Sequence, residues 1–355
     1  GQFADTGVQM DNGIKLFTQQ HGDKAGGKKI ELIRKDVGGI APDVAKRLAQ
    51  ELIVRDKVDL LAGFMLTPNA MAAGDVSAQA KKFMVVMNAA TSVIIDKSPY
   101  MVRTSVTTPQ INENYGAWVF KHGTKKVYTM VSDYGPGQDA EQALHRGFKA
   151  AGGEIVGADR FPVANPDFSA FVQRAKNANP EAIYIWVPGG TQPAAIAKAL
   201  AERGINPSNT KIFGQGELTL PEALKSMGDS AIGIITAFHY DYNHQSATNK
   251  EFVGAFEKMH NRIPDIYSVG AYDGMHLIYA ALDKTKGKTD GEALVNAAKG
   301  MAWESPRGPI SIDPQTRDIV QTIYIRKVDK VNGQLVNVEF DKVEKAKDPT
   351  HGMKK

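Results

Sequence analysis

The sequence predicts an α/β protein made of two doubly wound parallel-sheet lobes. Short apolar runs alternate with helical stretches of ~10–15 residues, the pattern of strands joined by crossover helices. That alternation occurs twice, over residues 28–104 and again over residues 126–237. The length of 355 residues points the same way. It exceeds one ordinary core and suits about two domains of ~100–200 residues each.

In the first run, Lys28 to Lys35 alternates like a strand, and Pro42 to Arg55 carries helical apolar spacing at Val44, Leu48, Leu52 and Ile53. Val58 to Phe64 is nearly continuous apolar sequence, as expected of a strand buried on both faces. Asn69 to Lys81 reads as helix and Phe83 to Met87 as a second buried strand. The second run gives strands at Lys126 to Val131, Glu154 to Ala158, Ala182 to Val187 and Lys211 to Phe213. Its helices are Gln138 to Ala151, Phe168 to Ala178 and Thr191 to Arg203. Met101 to Thr108, between the runs, is extended up to Pro109. Helices follow at Ala247 to His260 and Ser268 to Asp283. The end, Ile310 to Val338, is strand-rich, with Asn332-Gly333 a hairpin signal. After Lys342 the sequence reads as a disordered tail.

Composition removes several classes. No cysteine is present, so thiolate nucleophiles, Cys-ligated metal and disulfide scaffolds are excluded. The 43 basic and 39 acidic side chains nearly balance, which speaks against nucleic acid as a partner. No apolar stretch reaches the ~18–20 residues of a membrane span, and no leader opens the sequence.

Among candidate sites, Gly135-Pro136-Gly137-Gln138-Asp139-Ala140 fits G-x-G-x-x-A after a strand, with Asp159 downstream as the possible ribose contact. Ser132-Asp133-Tyr134 lengthen the turn, and the proline removes an N–H from the phosphate cradle, both of which count against a dinucleotide. His239, Asp241 and His244 could hold a metal, but strand alternation separates their side chains, favouring a structural or pocket-lining role. No G-x-S-x-G or H-E-x-x-H occurs. Ligands of open α/β sheets bind beyond the carboxyl ends of the strands. Those ends carry Thr67, Thr91, Tyr134 and Glu217, with threonine hydroxyls near helix starts suited to a carboxylate. No activated nucleophile stands beside a base, so this is the inventory of a binder.

The order of segments resembles type I periplasmic solute-binding proteins of ABC importers, in the leucine/isoleucine/valine-binding branch. The likeness covers nearly the whole length. It rests on Gly1-Gln2-Phe3-Ala4-Asp5-Thr6-Gly7, Ala62 to Thr67, Asn88-Ala89-Ala90-Thr91-Ser92, Val102-Arg103-Thr104-Ser105, Asp133 to Gly137, Asp167-Phe168-Ser169 and Gly270-Ala271-Tyr272-Asp273-Gly274. The resemblance implies two lobes joined by three crossovers, with a ligand cleft between the lobes that hinge closure shuts. Crossovers are expected at Met101 to Thr108, His239 to Tyr242 and near Ile319. Residues 1–105 plus 243–318 form one lobe, residues 106–242 plus 319–341 the other, and residues 342–355 a tail. It further implies that Thr67, the backbone of Ala89, and Thr91 hold a ligand carboxylate, and that Tyr134 closes from the other lobe. Tyr267 or Tyr272 from the late helix joins them, and Phe64, Glu217 and His239 complete the lining.

Two departures sharpen the reading. Amino-acid binders of this branch carry an acid that pairs with the ligand's ammonium. An ungapped comparison puts Gly216 there, with Glu217 one residue late, and Pro188 stands where an aromatic is common. A buried ammonium without a partner costs on the order of several kcal/mol, so amino acids are disfavoured. Phe64, Trp186, Phe238, His239 and Tyr240 bring rings to predicted strand ends. With the Thr67-Pro68 and Asn88 to Thr91 pattern, they resemble importers of aromatic acids or aryl keto acids. The other departure is the start: the resemblance implies an apolar strand and a Thr-Gly turn before the helix near Thr6, so residues are expected upstream of Gly1.

The expected protein is a periplasmic receptor that passes a small carboxylate, an aromatic acid foremost, to inner-membrane permease subunits. It acts as a monomer, with no catalytic residues, no cofactor and no metal. Branched-chain or aromatic amino acid binding by the same mechanism is one alternative. An NAD(P)-dependent two-domain enzyme is another, and a sensor domain of the same fold a third.

Overall fold

A computed structural model describes residues 1–353. The chain divides into two units. The first contains Gly1–Thr107, His244–Gln321 and the segment that starts at His351; the second contains Thr108–Asn243 and Thr322–Thr350.

In the first unit, three parallel strands stand in the order Leu60–Gly63, Phe83–Val86, Met101–Arg103. Phe83–Val86, in the middle, is buried at every residue. Leu60–Gly63 differs from expectation: Leu61 and Gly63 are buried but Ala62 is exposed. It lies at the edge of this sheet, where one face is not covered, so an apolar run did not mean burial on both faces. Leu61, Met84, Val86, Ile94 and Met101 form the core with Ala70, Ala73 and Val76 of the helix Thr67–Ala80.

Residues 28–35 also depart from the strand reading. Only Lys24–Ala25 and Lys28–Lys29 pair, as a small antiparallel ribbon. Residues 30–38 bond to no strand among the described residues, and Leu32 and Ile33 are exposed. Alternation sets which side chains share a face, but a strand also requires a neighbour to bond.

The second unit has a parallel sheet in the order Ile235–Phe238, Lys211–Gln215, Ala182–Trp186, Lys126–Ser132, Glu154–Phe161. Ile319–Val331, whose first residues belong to the first unit, adds antiparallel to Ile235–Phe238, and Gln334–Ala346 adds to it in turn. The hairpin between these last two strands turns at Asn332-Gly333, both at positive φ (49° and 79°), the geometry of a type I′ turn. This strand runs through Ala346, so the expected tail at residue 342 is ordered sheet; positions 354 and 355 of that tail lie outside the described residues.

Helix starts are explained locally. Asp167 accepts from the Ser169 N–H, which is why Asp167-Phe168-Ser169 begins a helix. Asp265 and Ser268 form a capping box at the head of Ile266–Lys284. No described helix is long and apolar enough to cross a membrane.

Candidate functional site

In the first unit, the ends of Leu60–Gly63 and Phe83–Val86 bring the expected groups together. Thr67 opens the helix Thr67–Ala80, with Pro68 presetting its first turn. Leu66, at the cap position, supplies no side-chain acceptor, so the positive end of the helix dipole is not neutralised by its own cap. Thr67 and Thr91 are both buried, and their Oγ1 atoms lie 2.8 Å apart. One hydroxyl proton closes that pair, and the other remains to donate to a ligand oxygen.

Ala89 behaves differently from expectation. Its N–H donates to the Phe64 carbonyl at 3.0 Å, and its carbonyl accepts from Arg103 at 2.9 Å. Its backbone therefore shapes the loop and is not open to a ligand. Phe64 adopts φ 68°, a left-handed conformation unusual for a non-glycine residue, and this turns its carbonyl toward Ala89.

Arg103 organises this loop, and no sequence signal singled it out beyond its place in a motif. It is fully buried and ion-paired with Asp318 at 2.8 and 3.0 Å. Its remaining N–H groups donate to the carbonyls of Ala89, Thr91 and Ser92. Every guanidinium donor is used, so the residues flanking the Thr91 hydroxyl are clamped by a charge. Burial raises the Asp318 carboxyl, but Arg103 and His351 outweigh it and hold it below the usual carboxylate range.

Tyr267 and Tyr272 also belong to the first unit. Tyr267 is buried in the first turn of its helix. The Tyr272 hydroxyl donates to Gln20 at 2.6 Å, and its ring packs with Phe17 and Phe252. With His276 and Trp303 it lines a cavity of about 340 Å³. Among the described residues, its hydrogen bond and ring contacts lie with Gln20, Phe17 and Phe252 and not with the Thr67–Thr91 pair.

In the second unit, three adjacent strand ends converge. Trp186 ends the middle strand, and its register neighbours are Val131 on one side and the Gly214-Gln215 end on the other, as Ile185 pairs Gly214. Tyr134 follows on the first side and caps the helix Gly135–Ala151 without a side-chain hydrogen bond. Its ring centroid lies 5.8 Å from that of Trp186. On the other side, Gly216–Thr219 form a single 3-10 turn that carries Glu217.

The Gly135 loop is thus the first turn of a helix. A Cβ on Gly137 would collide with the Ser132 carbonyl, so this glycine serves helix–strand packing. Gly216 is also sterically required, because a Cβ there would enter the Phe238 ring. The neighbouring acid, Glu217, stands one residue later, as the ungapped comparison had it.

Glu217 is buried, and Gln215 Nε2 donates to both its oxygens at 2.9 Å. Asn112 donates to Gln215 Oε1 at 2.6 Å, and Tyr184 donates to Asn112 Oδ1 at 2.6 Å. This neutral chain fixes the carboxyl's direction. Burial pushes Glu217 up to about 7, against the lowering effects of Gln215 and Arg326. Burial and then the charge of Glu217 push the Tyr134 phenol above its usual range.

His239 is buried edge-on to Phe238, with ring centroids 4.6 Å apart. The oxygens of Asp241 accept from the Asn243 N–H and from Asn337 Nδ2, a structural role that leaves little for a metal.

The fold and the relatives it is similar to define a solute-binding protein of an ABC transporter. The sequence profile of the periplasmic binding proteins matches residues 1–334, and the chain belongs to that family. It is 44% identical over 352 residues to the Leu/Ile/Val-binding protein homolog 6 of Brucella melitensis, covering 98% of this chain and 90% of that protein. A solute-binding protein of Rhodopseudomonas palustris BisB5, solved with 3,4-dihydroxybenzoic acid, superposes with a TM-score of 0.95 at 52% identity, covering 99% of this chain and 96% of that one. Another from R. palustris HaA2, solved with p-hydroxybenzoic acid, gives 0.97 at 40% identity, with 100% and 97% covered.

Proposed function

We propose that this protein is the periplasmic receptor for a benzoate-type aromatic carboxylate, which it encloses by hinge closure and passes, as a monomer, to its permease. The observation that carries this reading is the buried Thr67–Thr91 hydroxyl pair at an uncapped helix start, with one proton free to donate. That arrangement suits a carboxylate. The ring is taken by Phe64 in the first unit and by Tyr134 and Trp186 in the second. The two R. palustris relatives, which hold hydroxylated benzoates at 52% and 40% identity, support the ligand class.

Amino acid binding by the same groups is a second reading, favoured by one observation: Glu217 offers a buried carboxyl that could pair with an ammonium. Calorimetric titration with leucine, phenylalanine, 4-hydroxybenzoate and a phenylpyruvate separates the two. Binding of 4-hydroxybenzoate without leucine is the expected result. Tight leucine binding with no response to the aromatic acids overturns the proposal.

A further inference from the structure

The Trp186 indole N–H is buried and donates to no group of the described chain. The residue is only 3% exposed, and a buried donor without an acceptor is costly enough to call for an explanation. Its position supplies one. Trp186 ends the central strand of three, with the Gln215–Glu217 strand end on one side and Tyr134 on the other. Glu217 is buried as well, and its carboxyl accepts from Gln215 Nε2 at both oxygens and from its own backbone N–H, which leaves acceptor capacity on a group with about four lone-pair sites.

We infer that Trp186 and Glu217 together read a ring hydroxyl of the ligand: the indole N–H donates to the hydroxyl oxygen, and the hydroxyl proton goes to the Glu217 carboxyl. This deepens the aromatic-carboxylate reading and rests on it. The pairing has a consequence for specificity, because a phenol both accepts and donates through one oxygen and satisfies the two groups at once. An ammonium carries only donors, so it can meet Glu217 but sets N–H against N–H at Trp186. A bare or methylated ring meets neither and leaves both polar groups buried without partners. The device therefore selects hydroxylated rings and rejects ammonium groups in one place, although Glu217 alone would attract an ammonium.

Titration calorimetry with benzoate, 4-methylbenzoate, 4-(aminomethyl)benzoate and 4-hydroxybenzoate tests it, on the wild-type chain and on Trp186→Phe and Glu217→Gln. The wild type is expected to bind 4-hydroxybenzoate at least about tenfold more tightly than benzoate, the worth of roughly one buried hydrogen bond. Trp186→Phe should cut that preference to within about threefold while changing benzoate affinity much less. Glu217→Gln, which keeps the volume, should lower the preference part of the way, and it decides the matter if Trp186→Phe does not fold. A wild type that binds both ligands equally, or variants that keep the full preference, overturns the hydroxyl reading and leaves the aromatic-carboxylate reading standing. A wild type that binds none of the four overturns both.

Discussion

The two units hold their candidate binding groups by opposite means. In the first, a permanent charge does it: Arg103, paired with Asp318, grips the carbonyls of the loop that presents Thr91. In the second, a neutral relay of Tyr184, Asn112 and Gln215 aims a carboxyl that titrates near neutrality. The contrast matters for pH. Asp318 is held low by its partners, and Glu217 is held high by burial. One unit holds its acid ionised through charged partners, and the other holds its acid near neutrality through burial.

The largest effect should come from breaking the charged clamp. Arg103→Leu leaves Asp318 buried beside His351 without its main partner and should cost about 3–5 kcal/mol. Urea denaturation checks this, and a loss below about 1 kcal/mol would mean that the ion pair is dispensable.

Next comes the pH response of Glu217. A carboxyl at about 7 when folded, against 4.5 in an open chain, binds an extra proton in the folded state between those values. Stability from this group is therefore fully present below about 4.5 and lost as pH rises through about 7, by about 3 kcal/mol. Glu217→Gln should flatten that decline between pH 5 and 8. Asp265, also raised by burial, to about 6, adds a decline of the same sign that the variant keeps. Asp318 works the other way: its contribution is present above the unfolded carboxylate range and is lost as pH falls through its lowered value.

A smaller change is expected from Thr91→Val, which removes one hydroxyl of the pair and should weaken carboxylate binding by about 1–3 kcal/mol. Titration of the variant would expose a wrongly placed site through unchanged affinity. Smallest of all is Tyr272→Phe. It loses a hydrogen bond to an exposed Gln20 and should move stability by under about 1 kcal/mol, with ligand affinity untouched. A clear drop in affinity would return Tyr272 to the binding surface.

Much of the architecture was legible from periodicity. The alternation over residues 126–237 became the parallel sheet of the second unit, and Asn332-Gly333 turns its hairpin as the dipeptide requires. Thr67 and Thr91 could be read as partners because each follows a strand in a sheet whose ends gather ligands. Arg103 could not be found in this way. A buried arginine shows only through what it touches, and its partners lie as far away in sequence as Asp318. The backbone role of Ala89 was hidden for a similar reason: no side-chain pattern reveals whether an N–H is already bonded.

Sequence by itself determined the class of fold and the absence of cysteine chemistry. These depend on local spacing and residue type, which one chain displays in full. Tertiary structure alone decided that residues 30–38 pair with no strand among the described residues, that Gly216 must stay small against Phe238, and that the Glu217 carboxyl and the Trp186 indole N–H are both buried, the latter without an acceptor. Burial and hydrogen-bond satisfaction belong to a residue's surroundings, and those form only when distant segments meet.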